Sequence, residues 1–262
     1  MSAVSPAGQL LREWRRRRNV SQFQLAAGAA VSARHLSFIE TGRARPSREM
    51  VLHLADRLEV PLRDQNRLLL AAGFAPVYGE RPLDSHELLP VREALERFLG
   101  AHEPYPALVV DRHWNLVLAN STVWLMVGDI APELLEPPAN ALRATLHPGG
   151  MAPQILNFDQ WSAHLVQRVR REAALTGDPE LELLLTELLS YPGVRDEPLA
   201  VEAAAAAEIV LPLQLRHEAG TLSFLSTITT FGTAADVTVA ELTLEAFYPA
   251  DAATAAALRA QA

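Results

Sequence analysis

The chain has 262 residues and a formal net charge of -8; it contains no cysteine, and all 23 of its basic residues are arginine. The missing thiol excludes thiolate nucleophiles, disulfides and thiolate zinc sites, and the missing ammonium excludes a P-loop lysine, a Schiff base, pyridoxal attachment and a Ser-Lys dyad. No run of about 18 apolar residues occurs and the amino end lacks a signal-peptide pattern, so a soluble, cytoplasmic protein of two domains without a membrane partner is expected.

Charge is segregated along the chain. Met1 to Arg48 carries nine arginines against Glu13 and Glu40, a net of +7, which leaves -15 for the remainder. A basic segment attracts phosphate by releasing condensed counterions, whereas an acidic one is repelled by it. The loss of lysine, together with heavy use of alanine, points to biased base composition, so arginine at a given position is not by itself a sign of selection for its fork.

Gln9 to Arg18 reads as a first helix with Leu10, Leu11 and Trp14 as its apolar stripe. Ser21, with Gln24 three residues later, is a capping box that opens a second helix to Ala29; Ser32 repeats the signal for a third, to Thr41, closed by Gly42. Leu36 and Ile39, with Phe38 beside them, seat one face of the third helix, and Ala33, Arg34, His35 and Ser37 face outward. Two short capped helices joined by a tight turn form a helix-turn-helix, whose outer face reads base edges in a DNA major groove. Pro46 and Ser47 stop one element and cap a fourth helix through Leu58; Pro61 sits in the first turn of a fifth that ends at Gly73.

The candidate double-stranded DNA contacts are Gln22, Arg43 and Arg45 on phosphate, and Ser32, Ala33, Arg34, His35 and Ser37 at or near the bases. Arg34 is the foremost, because guanidinium meets the O6 and N7 of guanine bidentately. The run Arg15 to Arg18 is less specific, since consecutive helical residues point in several directions and read as a solvated surface that also touches phosphate. Packing of the helix pair against another protein is the bland alternative.

From Ala75 to Pro90 the chain is rich in proline and polar residues and reads as a linker. Beyond it, Val91 to Ala101 is helical, and Ala107 to Val110 with Asn115 to Ala119 forms a hairpin. A mostly helical middle contains Phe158 to Thr176 and Leu181 to Leu189, separated by Gly177 and Pro179. Three strand candidates close the chain: Ile209 to His217, demoted toward an edge by Pro212, then Thr221 to Phe231 and Leu242 to Tyr248. The second of these mixes hydroxyl and aromatic side chains on one face, a pattern that lines an apolar cavity or simply packs a core. Phe224, Thr227, Thr229 and Phe231 are therefore candidate ligand contacts, together with Trp114, Trp124 and Trp161, residues of a type that more often anchors a core than shelves a ligand.

None of the eight histidines forms a helical metal-ligand pair, and no nucleophile elbow or G-x-G-x-x-G turn is present. No catalytic residue, metal or cofactor is indicated.

The stretches LREWRRRRNVSQFQLA and VSARHLSFIETGRARPS resemble the xenobiotic-response-element family of regulators, the five-helix phage-repressor (Cro and cI) type. The family places glycine directly before the Val-Ser pair where this chain has Ala30, which implies an altered bend at the turn. The stretches EPYPALVVDRHWNLVLAN, LHPGG and STITTFGTAADVTVAEL with FYPAD resemble the MmyB-like ligand-binding domain of bacterial regulators. That resemblance implies a PAS-like fold, a curved antiparallel sheet with helices over it, and a pocket for a fatty-acyl or similarly apolar small molecule.

The fold class expected is thus an all-α helix-turn-helix domain at 8-73, a linker at 74-89, and an α+β PAS-like domain with an antiparallel sheet at 90-262. The function expected is that of a ligand-responsive transcriptional regulator, a homodimer on a pseudo-palindromic operator. An antitoxin-like autorepressor whose second domain binds a partner protein is the alternative, and an enzyme fused to a DNA-binding head a more remote one.

Overall fold

The computed structural model describes residues 5-128, 130-196, 210-218 and 220-261. The chain divides into two units: residues 1-81 together with 234-240, and residues 82-233 together with 241-262.

Residues 1-81 of the first unit form the helices α1 (Pro6–Arg17), α2 (Gln22–Gly28), α3 (Ala33–Glu40), α4 (Arg48–Arg57) and α5 (Leu62–Ala71). Their apolar stripes converge on one core in which Leu11, Leu36, Ile39, Val51, Leu54, Leu68 and Leu69 are completely buried. The amino ends of α2, α3 and α4 are capped as the sequence predicts. Ser21, Ser32 and Ser47 each accept a hydrogen bond from the backbone N–H three residues on, and Ser21 with Gln24 closes a capping box. Pro61 is the N-cap of α5, one position before the expected first-turn place.

All five carboxyl ends share one device. Asn19, Ala30, Gly42, Glu59 and Gly73 follow α1 to α5 with φ of 54°, 54°, 75°, 49° and 87°. In each case that residue's N–H and the next one's return to carbonyls of the last turn, as in Val31 to Ala26 and Ala30 to Ala27. This double closure is the Schellman motif. The residues that follow, Val20, Val31, Val60 and Phe74, add apolar contact to the core.

The predicted linker is partly docked. Asn66 of α5 accepts from the backbone of Val77 and Tyr78 at 3.0 and 3.1 Å and donates to the Tyr78 carbonyl at 2.8 Å, so the first unit extends to Arg81. Residues 234-240, expected within the second domain, also group with the first. There Asp236 pairs with Arg81 at 2.8 Å, Val237 N–H reaches the Gly79 carbonyl at 2.7 Å, and Val237 is completely buried.

The second unit begins with α6 (Leu89–His102) and is built on five antiparallel strands: β1 (Ala107–Val110), β2 (Leu116–Ala119), β3 (Leu213–His217), β4 (Gly220–Thr230) and β5 (Thr243–Pro249). The spatial order is β2-β1-β5-β4-β3, the PAS-like arrangement that the sequence resemblance implies. The register pairs Val109 with Leu244 across β1 and β5, and Ile228 with Glu245 across β4 and β5. Pro212 falls just before β3, where its missing N–H interrupts no ladder.

Helices α7 (Ser121–Val127), α8 (Ala141–Leu146), α9 (Phe158–Thr176) and α10 (Pro179–Leu189) follow β2; α11 (Val237–Ala240), which precedes β5 in the chain, belongs to the first unit, and α12 (Ala252–Gln261) follows β5. Helix α9 buries Trp161, Leu165 and Val169 in the same core as Phe224 and Phe247 of the sheet. Among the described residues, no helix is long and apolar enough to cross a membrane.

Candidate functional site

The outer face of α3 is set by what holds the helix from behind. Glu40, its last residue, has a side chain only 1% exposed, and Arg15 of α1 grips it bidentately at 2.7 and 3.0 Å. Gln22 at the start of α2 donates to the same carboxylate at 2.7 Å. Burial pushes the Glu40 carboxyl up, but the hydrogen bonds from Arg15 and Gln22 and the charges of Arg15 and Arg12 outweigh it, so Glu40 titrates below its ordinary value. The helix-turn-helix is thereby clamped to α1 through one ionised carboxylate.

Ser32 spends its hydroxyl on the α3 cap, accepting from the His35 N–H at 3.1 Å. Ala33 and Arg34 stand exposed in the first turn, whereas His35 and Ser37 are half-buried. Arg43 and Arg45 are exposed in the loop beyond α3. The guanidinium carbons of Arg34 and Arg43 lie 5.3 and 5.9 Å from the centroid of the Phe38 ring, so both cations rest on one aromatic platform. Gln22, expected on phosphate, is half-buried with its amide nitrogen committed to Glu40.

The arginine run divides by role. Arg15 binds Glu40, and Arg18 donates to the carbonyls of Leu58 and Glu59 at 2.9 and 2.7 Å, tying α1 to the end of α4. Arg16 and Arg17 remain exposed. Pairings across 25 and 41 positions have no local sequence signature, which is why the run reads as undifferentiated surface.

The second unit contains a small, partly open cavity of about 70 Å³. Its wall joins the inner face of the sheet (Leu108, Leu116, Leu213, Phe247) to α7, α8 and α9 (Val123, Met126, Val127, Leu142, Trp161, Leu165). Trp114, Trp124 and Trp161, three of the predicted ligand residues, line it. Trp124 is 48% exposed, whereas Trp114 and Trp161 are buried.

The other four predicted ligand residues are not among the cavity's lining residues. Phe224 is fully buried in the core with its ring edge-on to Phe247, Thr227 and Thr229 are exposed, and Phe231 packs at the edge of a separate cluster around Leu95 and Val109. The reason is strand alternation. The inward face of β4 is the one carrying Leu222 and Phe224, so Thr227, Thr229 and Phe231 lie on the face turned from the cavity, while Phe224 faces inward but packs within the core rather than along the cavity wall.

Trp114 is held by an unusual backbone. It occupies the β1–β2 turn with φ of 68°, a left-handed conformation that costs a bulky residue about 1 to 3 kcal/mol. Asp111 stabilises the turn by accepting from the His113 and Asn115 N–H groups at 2.8 and 2.9 Å. His113 in turn reaches Asp178, the N-cap of α10, at 3.0 Å. The indole N–H donates to Glu172 at 3.0 Å, and the Arg168 guanidinium stacks 4.1 Å over the ring.

One titratable side chain lines the cavity among the described residues, Glu245 of β5, which is 6% exposed. Its Oε1 lies 3.4 Å from Arg168, an arginine shared at the same distance with Glu172. Burial holds the Glu245 carboxyl above the usual carboxylate range, and the opposing influence of Arg168 does not cancel it. Periodicity gave no hint of this residue, because a glutamate in an alternating strand reads as solvent-facing. Among the described residues, no group of three or more His, Asp or Glu side chains is placed to hold a metal ion.

Comparison with known proteins meets this geometry at both ends of the chain. Residues 7–68 match a helix-turn-helix domain, and residues 91–260 match the MmyB-like transcription regulator ligand binding domain. A 122-residue stretch, 46% of this chain and 79% of the relative, is 34% identical to the uncharacterized HTH-type transcriptional regulator RghRB of Bacillus subtilis (strain 168). With a clamped helix-turn-helix at one end and a partly open apolar cavity against a five-stranded sheet at the other, the chain belongs to the family of MmyB-like transcription regulators.

Proposed function

We propose that α3 lies in the major groove of a specific operator, that Arg34 reads a base there while Arg43 and Arg45 hold flanking phosphates, and that an apolar, fatty-acyl-like ligand in the cavity alters operator affinity. The observation that carries this reading is the placement of an exposed Arg34 in the first turn of a helix whose opposite face is fixed by a buried carboxylate. A base-reading side chain needs such a rigid mount, because a displaced fork loses its bidentate geometry. A homodimer with two such helices one turn of DNA apart fits a pseudo-palindromic site. Ligand control follows from linkage: a molecule that binds one conformation better shifts the population toward it, and with it the affinity for DNA.

Fluorescence anisotropy with a selected operator and a random duplex tests the assignment of roles. Arg34→Ala weakens operator binding by about 1 to 3 kcal/mol and leaves random DNA nearly unaffected. Arg43→Ala weakens both and lowers the salt slope by about one unit. Equal losses on both duplexes for both variants contradict the reading.

A further inference from the structure

Helix α3 departs from α1, α2, α4 and α5 at one place. After each left-handed closure the next residue donates its N–H to the carbonyl five positions back, and after α1, α2, α4 and α5 that residue is apolar: Val20, Val31, Val60 and Phe74. After α3 it is Arg43, whose N–H donates to the Phe38 carbonyl at 2.8 Å. A residue in this place commonly adds an apolar contact to the side chain whose carbonyl it binds. Here the contact is that of the Arg43 guanidinium with the Phe38 ring, and Arg34, one turn before Phe38 on the same face of α3, meets the same ring. Phe38 is half-buried, yet it belongs neither to the core of the first unit nor to the partly buried side chains packed against it. Among the described residues, Arg34 and Arg43 make no hydrogen bond or ion pair through their side chains.

We infer that Phe38 is a positioning residue for DNA recognition, whose ring holds the base-reading and the phosphate-binding arginine together and sets the reach of both. The inference rests on the proposed roles of Arg34 and Arg43. A carboxylate holds a guanidinium by occupying its fork, as Glu40 does with Arg15 at 2.7 and 3.0 Å. An aromatic ring holds the cation through its π-electrons and leaves the N–H donors free for guanine or for phosphate oxygen. It also leaves the positive charge uncompensated, which preserves the attraction to the duplex. An arginine confined to fewer rotamers before DNA arrives loses less freedom on binding.

Fluorescence anisotropy of the full chain at low ionic strength, with the selected operator and a random duplex, tests this through a cycle of variants. An exposed cation–π contact changes an equilibrium by about two- to fivefold, so the loss of two in Phe38→Leu, which stays apolar, weakens operator binding by about four- to twentyfold. Phe38→Tyr, which keeps a π face, remains within about twofold of wild type. In an Arg34→Ala/Arg43→Ala background, Phe38→Leu costs less than about twofold, whereas a packing role would cost the same in both backgrounds. Circular dichroism melting checks that each variant folds. Nuclear magnetic resonance of the wild-type protein needs no variant: the ring current of Phe38 moves the Nε–H resonances of Arg34 and Arg43 upfield of free arginine. Unchanged operator affinity in Phe38→Leu, equal losses in the two backgrounds, or unshifted resonances overturn the role of Phe38 while the recognition reading stands. A wild-type protein that does not prefer the operator to the random duplex overturns that reading, and the role of Phe38 with it.

Discussion

Ala30 shows how a residue with no sequence signal of its own takes a conformation that its neighbours demand. The family that the segment resembles has glycine there, and its replacement implied a different bend. Instead, Ala30 adopts φ of 54° and completes the same closure that Gly42 and Gly73 make. The left-handed conformation costs an L-residue about 1 to 2 kcal/mol, and replacing alanine by glycine gives back about 0.4 to 1 kcal/mol of unfolded-state entropy. Ala30→Gly is therefore expected to stabilise the protein by roughly 0.5 to 1 kcal/mol in urea unfolding, with no change in m-value. A destabilised variant would show that contacts of the Ala30 methyl group outweigh its backbone strain. Local rules made the caps Ser21 and Ser32, and the exposure of Arg34 and Arg43, legible. They could not reveal the Arg15–Glu40–Gln22 clamp, since its members are far apart in sequence and each alone reads as surface.

At the scale of elements, long helices were legible from their periodicity and the short α2 and α3 from their serine caps, whereas the short helices of the second unit were not. Phe158–Thr176 and the strand Ala107–Val110 fall where apolar spacing and β-propensity place them. Helices α7 and α8, of 7 and 6 residues, are too short for a period to register, yet they form much of the cavity wall. Which face of β4 turns inward is not legible from its alternation, because Thr227 and Thr229 line a cavity only if the odd face is buried, and the partner elements decide that.

Helix–helix contact adds a requirement that composition hides. Gly8 of α1 lies against the last carbonyls of α3, and a methyl group there would meet the Ile39 and Glu40 backbone oxygens. Gly8→Ala is expected to cost about 1 to 3 kcal/mol by forcing α1 from α3, despite alanine's better helix propensity. Thermal melting followed by circular dichroism checks this. An unchanged or higher Tm would mean that the two helices can separate without loss.

Over the whole molecule, the division into a basic and an acidic part was legible from charge alone, but the path of the chain was not. Residues 234-240 leave the second unit between β4 and β5 and belong with the first, held by Asp236 on Arg81 and by buried Val237. No composition shift marks this excursion, because it depends on a pairing 155 positions apart.

Titration also acts at this scale. Burial, reinforced by the charges of Arg168 and Arg171, lowers the pKa of His164 from its ordinary value of 6.5. Because its folded pKa lies below the unfolded one, the unfolded state takes up the proton first, so the His164 contribution is present above pH 6.5 and fades as pH falls through that value. The raised pKa of Glu245 acts with the opposite sign, favouring the fold as it protonates. The difference between variants isolates the histidine: His164→Gln should gain stability relative to wild type between pH 7.5 and 5.5 in denaturant titrations. A constant difference across that range would place His164 in an environment no different from water.

The proposal that α3 delivers Arg34 to DNA is tested most directly by footprinting the full-length protein, and its Arg34→Ala variant, across its own genome at low ionic strength. The account predicts discrete protected sites with two-fold symmetric halves about one helical turn apart, which fade in the variant while weak non-specific coverage persists. The absence of any protected site with the wild-type protein, or protection that Arg34→Ala leaves unchanged, would contradict it.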